Sequence, residues 1–306
     1  MTSLNNLIES QSNISCSDFN TSINPDPIGT SIHVERIILI EAPIPWPSKI
    51  REHQLLKGLD GLDNRFFKSG RILLTPLTNK DESKIRIYER LSIGVEESVF
   101  NFSNTEELKN IITQINNPTD LKQIKASSKV LTQPTFLICT HGSRDTCCGS
   151  KGTIFAKELA SITNLEVLKV SHIGGHRFAP TLISLPDGRV WANLTFSDAE
   201  VIATKQPITD SLVTKLRGWW GAQIGYEQVA ERELFKQHGW NIHNHQIRFK
   251  TDIVSEHSRK ISSEINNSKT EIVVELVDSY PTISCKQASP ETTKKQFLYE
   301  SKVLKN

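Results

Sequence analysis

The chain has no apolar run long enough to cross a membrane. Its most apolar stretches, such as Arg36-Ile-Ile-Leu-Ile-Glu41, are strand-length, against the roughly 20 residues a span needs. It has no strong charge of one sign: 36 Lys and Arg against 34 Asp and Glu leave +2, so neither nucleic acid nor an anionic membrane is an expected partner. The opening Met1-Thr-Ser-Leu-Asn-Asn-Leu-Ile-Glu9 has no basic stretch and no apolar core, so no signal peptide is expected. No repeat of 20–50 residues appears. Cysteine is scarce and odd in number, five in all, with three of them between Cys139 and Cys148. A secreted disulfide framework would be larger and more evenly spread. A reducing, cytoplasmic setting with a metal or redox site is the expectation.

The 306 residues, 37% of them apolar, suffice for two compact domains. Residues 1–28 are rich in Ser, Asn and Thr and end in Pro25-Asp26-Pro27, which predicts a flexible N-terminal arm. A smaller α/β domain is expected over 29–128. Its strands are Val34–Glu41, Arg71–Thr75 and Lys84–Tyr88, and its helix Ser103–Ile115 starts with capping residues and stops at Asn116-Asn-Pro118. The polar stretch Asp120–Lys129 leads into a second α/β domain over 129–245. There the pattern predicts strand Thr135–Thr140, helix Gly152–Ala160 and strand Leu165–Val170. A hairpin turning at Pro186-Asp-Gly188 follows, then a helix from Gln223 to His238 that Gly239 ends. Strand–helix–strand–hairpin–helix is the order of a thioredoxin-like unit, an order several α/β folds share. Residues 246–306 read as a β-rich extension, with strands near Ile247–Val254 and Glu271–Val277.

Chemistry concentrates in two short runs. Cys139-Thr-His-Gly-Ser-Arg-Asp-Thr-Cys-Cys148 lies between a strand end and a helix start, where α/β sheets build sites. The exposed N–H groups of that helix start favour thiolate. Ser171-His-Ile-Gly-Gly-His-Arg-Phe-Ala-Pro180 also follows a strand. Two thiols, Cys139 and Cys148, and two imidazoles, His172 and His176, can close a four-ligand metal site. The spacing His172-x3-His176 would suit one helix face, but Gly174 and Gly175 each cost a helix interior about 1 kcal/mol against Ala, and Pro180 is close behind. A loop is therefore expected, with glycines that let backbone approach a bulky group.

Neighbouring residues have plainer readings. Cys147 is a spare thiol beside a ligand or an alternative ligand. His141 is ambiguous in the same way, with a hydrogen-bonding or surface role expected over ligation. Arg144 and Asp145 hold the loop or meet a partner, and Arg177 either sits near the metal group or caps the loop. Cys16 and Cys285, far from both runs in sequence, are simplest as free thiols. His243 and His245 have no third ligand near them in sequence, and Trp219 and Trp220 are more simply core than docking surface.

At these runs the chain resembles the sucrase/ferredoxin-like family of thioredoxin-fold [2Fe–2S] ferredoxins, most closely its cyanobacterial members. The family's Cys-Thr-His-Gly-x-x-Asp-x-Cys-Cys stands at Cys139–Cys148, its Ser-His-x-Gly-Gly-His-Arg-Phe-Ala at Ser171–Ala179, and its Leu-Pro-Asp-Gly at Leu185–Gly188. Glu41-Ala-Pro-Ile-Pro-Trp46, Arg217-Gly-Trp-Trp220, Gln228–Leu234, Gly239-Trp240, Ser15-Cys-Ser17 and Pro27-Ile-Gly29 are similar to further family segments. The resemblance implies a [2Fe–2S] cluster with Cys139 and Cys148 on one iron and His172 and His176 on the other. Two neutral imidazoles in place of thiolates make the cluster less negative and raise its potential, as in Rieske centres. A soluble electron carrier with an unidentified redox partner protein, rather than an enzyme, is the expectation.

Three alternatives stand beside it. A structural zinc protein would use the same Cys2His2 set. A thiol–disulfide oxidoreductase would need Cys-x-x-Cys, which is absent, although Cys147 and Cys148 are neighbours. Sugar hydrolysis, which the family label evokes, needs two placed carboxylates, and no such pair stands out.

Overall fold

The computed structural model describes residues 15–57, 70–79, 82–116, 128–265, 268–283 and 294–304. Three sheets organise them. The first has the order β2-β1-β3-β4-β5, built from β1 (Arg36–Glu41), β2 (Gly70–Thr75), β3 (Ser83–Arg90), β4 (Val95–Phe102) and the short β5 (Lys129–Val130). Only β1 and β2 run parallel in it. The second has the order β10-β9-β8-β6-β7, built from β6 (Thr135–Cys139), β7 (Glu166–Val170), β8 (Thr181–Leu185), β9 (Arg189–Ala192) and β10 (Leu216–Trp219). Here β6 and β7 are parallel and the other pairs antiparallel. The third is an antiparallel meander, β11 (Arg248–Ile253), β12 (Ser258–Ile265), β13 (Ser268–Thr282) and β14 (Lys294–Leu304). The chain is thus mixed α/β with a C-terminal β extension.

Alternation along each strand sets the layers. In β1, Ile38 and Ile40 pack with Ile85, Ile87 and Phe102 against Leu108, Ile112 and Ile115 of helix α2 (Thr105–Asn116). The intervening Ile37 and Leu39 point the other way, into a shared core with Leu137, Val170, Ile183 and Val190 of the second sheet. The opposite face of that sheet carries Phe136, Ile138, Leu182 and Trp191. It is covered by α3 (Thr153–Leu159), α4 (Phe196–Thr204), the short α5 (Asp210–Val213) and α6 (Tyr226–His238). Ile261, Ile272 and Val274 of the third sheet complete this core. Side chains with a period of two on both buried faces explain the near-continuous apolar reading of β1 and β6.

The two inner sheets are also stitched at their edges. Ser171 N–H donates to the Leu74 carbonyl at 2.8 Å, and Ser171 Oγ accepts from Leu74 N–H at 2.9 Å. Arg86 of β3 meets Glu166 of β7 at 2.7 Å. The Ser171–Leu74 contacts cover the edges of β2 and β7, which would otherwise be open to pairing.

One expectation changes. The N-terminal arm is not free over its described part: Cys16–Ile23 is a helix, α1, capped by Ser15 Oγ accepting from Asp18 N–H at 3.2 Å. Cys16 and Phe19 are buried against Cys147, Ala179 and Ile283, with Ile23 packed beside them. The i, i+3, i+7 apolar stripe that seats α1 is hidden among Ser, Asn and Thr. Residues 1–14, most of the 120–129 linker and Cys285 lie outside the described residues. Cys16, in no disulfide as expected and far from the two motifs in sequence, touches residues of both in space. Trp220 is core and 1% exposed, while the half-buried Trp219 lies under Arg90 at 5.5 Å.

Candidate metal centre

Strand β6 delivers Cys139 at its end, and a tight loop brings the chain back to Cys148 at the first turn of a π-helical segment, Cys148–Gly152, that leads into α3. Such wide turns recur at functional sites. The return needs glycine at 152. A Cβ there would lie 1.9 Å from the Cys139 carbonyl oxygen, so helix start and strand end are in backbone contact. Cys139 and Cys148 are both buried, at 1% and 0% exposure.

The second run leaves β7 as a loop. Gly174 and Gly175 take φ of +95° and +72°, and a 3₁₀ turn follows at His176–Phe178. At Gly175 a side chain would meet the Arg217 guanidinium at 2.5 Å. That guanidinium is itself the loop's anchor: it donates to the carbonyls of Gly174 at 3.0 Å and Thr30 at 2.6 Å, and to Thr181 Oγ1 at 3.0 Å.

Three of the four expected residues converge. His172 Nδ1 lies 3.9 Å from Cys139 Sγ and 3.8 Å from Cys148 Sγ. The two thiols share a proton: the hydrogen bond from Cys148, aided by His172, holds Cys139 well below the ordinary thiol pKa against its burial. The same hydrogen bond and burial push Cys148 upward. A thiol held low in this way favours the thiolate form that binds cations, and a bound cation would displace the thiol protons.

His176 stands apart from that trio in its contacts. Its ring centroid is 6.0 Å from that of His172. Its Nδ1 lies 3.0 Å from Asp145 Oδ2 and 2.9 Å from Cys16 Sγ. A carboxylate only accepts, so Nδ1 carries a proton and the ring is held through that nitrogen. A histidine held by a carboxylate through one nitrogen and presenting the other is the usual form of a metal-ligating imidazole. Asp145 Oδ1 also accepts from Cys147 N–H at 3.0 Å. Cys16, Asp145 and Cys147 form a second close group of donor atoms beside the first.

The remaining residues frame the site. His141 is 2% exposed; its Nδ1 accepts from His172 N–H at 3.2 Å and its Nε2 donates to the Pro47 carbonyl at 3.0 Å. Because Nδ1 accepts, it bridges as a neutral ring, and burial lowers its pKa. Ser143 Oγ bonds the Trp46 carbonyl, which brings the Glu41–Trp46 segment onto the site loop. Arg144 is exposed. Arg177 turns to the third sheet, with Nε donating to Gln296 Oε1 at 2.8 Å. Its pKa is lowered by burial.

Sequence reasoning missed Cys16, Arg71 and Arg217. Arg71 donates to the His172 carbonyl at 2.8 Å, and its pKa is lowered by burial against the pull of Cys139. Arg217 is pushed down to about 9 by burial and the nearby Arg177, which leaves it cationic at neutral pH. The Ser15-Cys-Ser17 and Arg217-Gly-Trp-Trp220 segments were the available signals. His243 and His245 do not join the centre. His243 Nε2 accepts from Arg189 Nη1 at 2.5 Å and lies 3.7 Å from Asp187, in a separate buried charge network with Glu231.

The sucrase/ferredoxin-like family matches residues 27–218, and the chain belongs to that family. One stretch of 84 residues is 29% identical to a protein named Altered inheritance of mitochondria protein 32, from Meyerozyma guilliermondii, covering 24% of this chain and 30% of that relative's length. No solved structure matches the chain. Among the described residues, no helix is long and apolar enough to cross a membrane.

Proposed function

We propose that this chain is an electron-transfer protein holding one [2Fe–2S] cluster through Cys139, Cys148, His172 and His176. The observation that carries the reading is the convergence of two buried thiols on His172 Nδ1 within 3.9 Å. His176, held by Asp145 through Nδ1, would supply the fourth donor through Nε2. The surroundings fit an anionic sulfur-rich group: Arg71 and Arg217 place buried positive charge beside the thiols, and the left-handed turn at Gly174 and Gly175 leaves backbone free of side chains.

Such a cluster would supply a one-electron couple. The chain's own residues set its environment. Two neutral imidazoles in place of thiolates remove two negative charges from the ligand set, and the guanidiniums of Arg71 and Arg217 favour the added electron. His141 and Asp145 fix the backbone of His172 and the ring of His176. The second sheet supports a thioredoxin-like reading, because β6–α3–β7 is a parallel unit, the β8–β9 hairpin pairs on β6, and α4 follows. The partner on this reading is a redox protein, and the thiols call for a reducing compartment such as the cytoplasm.

A second reading has its own support. Spacings of 3.8 and 3.9 Å between donor atoms are also those of ligands on a single tetrahedral ion, and Cys2His2 is a standard zinc set. Iron and acid-labile sulfide analysis with visible absorption and EPR decides between them. The proposal expects about two irons and two sulfides per chain and an EPR signal on reduction. Stoichiometric zinc in a colourless protein refutes it.

A further inference from the structure

The thiol pair Cys16–Cys147 is not used by the proposed centre. Cys16 opens α1, and Cys147 directly precedes the site residue Cys148. Their sulfurs lie 3.4 Å apart, at 0% and 2% exposure and 131 positions apart in sequence. Neither is in a disulfide. Cys16 Sγ also touches His176 Nδ1 at 2.9 Å and Asp145 Oδ1 at 3.9 Å.

Two chemistries suit such a cluster, and the geometry separates them. Two thiolates on tetrahedral zinc stand about 3.8 Å apart, with each metal–sulfur bond about 2.3 Å; this pair is closer. The other donors are committed elsewhere: Asp145 Oδ1 takes Cys147 N–H, and Asp145 Oδ2 takes the His176 proton. The two sulfurs approach one another to 3.4 Å. A disulfide needs them at about 2.0 Å, an approach of about 1.4 Å from the observed 3.4 Å.

We propose that Cys16 and Cys147 are a dithiol–disulfide couple that closes by exchange with a low-molecular-weight disulfide such as glutathione disulfide. One thiol of the pair attacks the small disulfide, breaking its S–S bond and releasing one small thiol. The second thiol attacks the resulting mixed disulfide and releases the other. One S–S bond breaks and one forms. Two electrons pass from the protein pair to the small disulfide, and the two protons leave with the two small thiols. Undocking of α1, a short helix near the start of the described chain, gives the reagent access. Closure ties α1 covalently to the loop that bears Cys148 and withdraws the Cys16 thiol from His176. The couple does not depend on which metal the neighbouring centre holds.

The test uses the purified full chain equilibrated in glutathione buffers of graded ratio, acid-quenched, alkylated in denaturant and mapped by mass spectrometry. The expected result is one linked peptide pair carrying Cys16 and Cys147, with two fewer alkylated thiols of the five in the chain. The link is reversed by dithiothreitol and is absent in Cys16→Ser and in Cys147→Ser. Cys16 remaining fully alkylatable at every ratio overturns the inference. So does a link from Cys147 to Cys139, Cys148 or Cys285, or a zinc ion lost specifically in Cys16→Ser. If either variant fails to fold, the wild-type peptide map alone decides. Iron content, read on the same samples, keeps the two proposals apart: iron present with no Cys16–Cys147 link defeats this one only.

Discussion

Gly152→Ala is the sharpest test of how the centre is built. Gly152 has φ −67° and ψ −37°, ordinary helical values, so the backbone itself has no need of glycine. In an unobstructed helix the substitution would stabilise by about 1 kcal/mol. What opposes it is contact. The added methyl lies 1.9 Å from the Cys139 carbonyl oxygen and 3.1 Å from the carbonyl carbon, where Cβ contacts below 3.0 Å are essentially never seen. Helix start and strand end must therefore part by about 1.1 Å or more. The atom in the way cannot rotate aside, because Cys139 is in register with Val170 of β7 and the next residue's N–H is bonded to the Val170 carbonyl at 3.0 Å.

Overpacking of this kind costs about 1–3 kcal/mol, and more where backbone must move. Set against the helix gain, a net loss of about 2 kcal/mol is expected. With a urea slope of about 2 kcal/mol/M, the midpoint falls by about 1 M. Because the displaced residue is Cys139, metal per folded chain falls as well. Gly239→Ala is the control: its φ is +57° with nothing within 4 Å of the added methyl. With ψ −149° it lies in a region essentially only glycine adopts, so it loses about 1–3 kcal/mol through the backbone alone and keeps its metal. A Gly152→Ala protein with wild-type midpoint and wild-type metal content would refute the claim that this contact sets the thiol's position.

Replacing His172 and His176 together by Cys is expected to lower the reduction potential, on the order of hundreds of millivolts by analogy with the gap between Rieske and plant-type centres. It also removes the fall of potential with rising pH that imidazole ligands confer; a wild-type potential flat from about pH 6 to 10 in film voltammetry contradicts the ligand set. The ion pair Arg189–Glu231 is fully buried on both sides, so Glu231→Gln is expected to lose about 3–5 kcal/mol, and the double change to Met and Leu to recover much of it, by urea titration. His243 has its pKa held well below the ordinary value by burial and the adjacent Arg189. The unfolded chain then binds a proton that the folded chain refuses, and stability falls as pH drops below about 6.5, by on the order of 1 kcal/mol at pH 5.5. His243→Gln should flatten that slope relative to wild type, and equal slopes would discount the site.

How much of this was legible in the sequence depended on whether one chain segment carried the signal. Strands β1, β6 and β7, helix α3 and the β8–β9 hairpin each carry a self-contained pattern of apolar period and turn residues, and they fall where that pattern places them. The Gly174-Gly175 loop was legible for the same reason, since two glycines are a local cost to a helix and a local freedom to a turn. Strand β4, Val95–Phe102, was not legible: its Glu96, Glu97 and Ser98 read as polar, yet Glu97 and Ser98 are buried and the ion pairs that neutralise Glu97 come from Arg86 and Lys129. Arg217 was hidden in the same way, because its meaning lies in the carbonyls of Thr30 and Gly174, far away in sequence.

Cys16 shows the limit most clearly. Polar composition around it predicts an arm, as for a segment that buries nothing. Over Cys16–Ile23 one thiol, one phenyl ring and one isoleucyl side chain on an eight-residue helix meet a surface contributed by Cys147, Ala179 and Ile283. That contact places a third sulfur beyond the two expected ligands within reach of His176. The ring's position therefore depends on α1 as well as on Asp145. A chain beginning at Pro25 would keep all four proposed ligands, and on this reasoning it would still lose metal from the His176 side first. Iron retention by that truncated chain equal to full length, with the same dependence on His176, would show that Asp145 alone suffices to hold the ring.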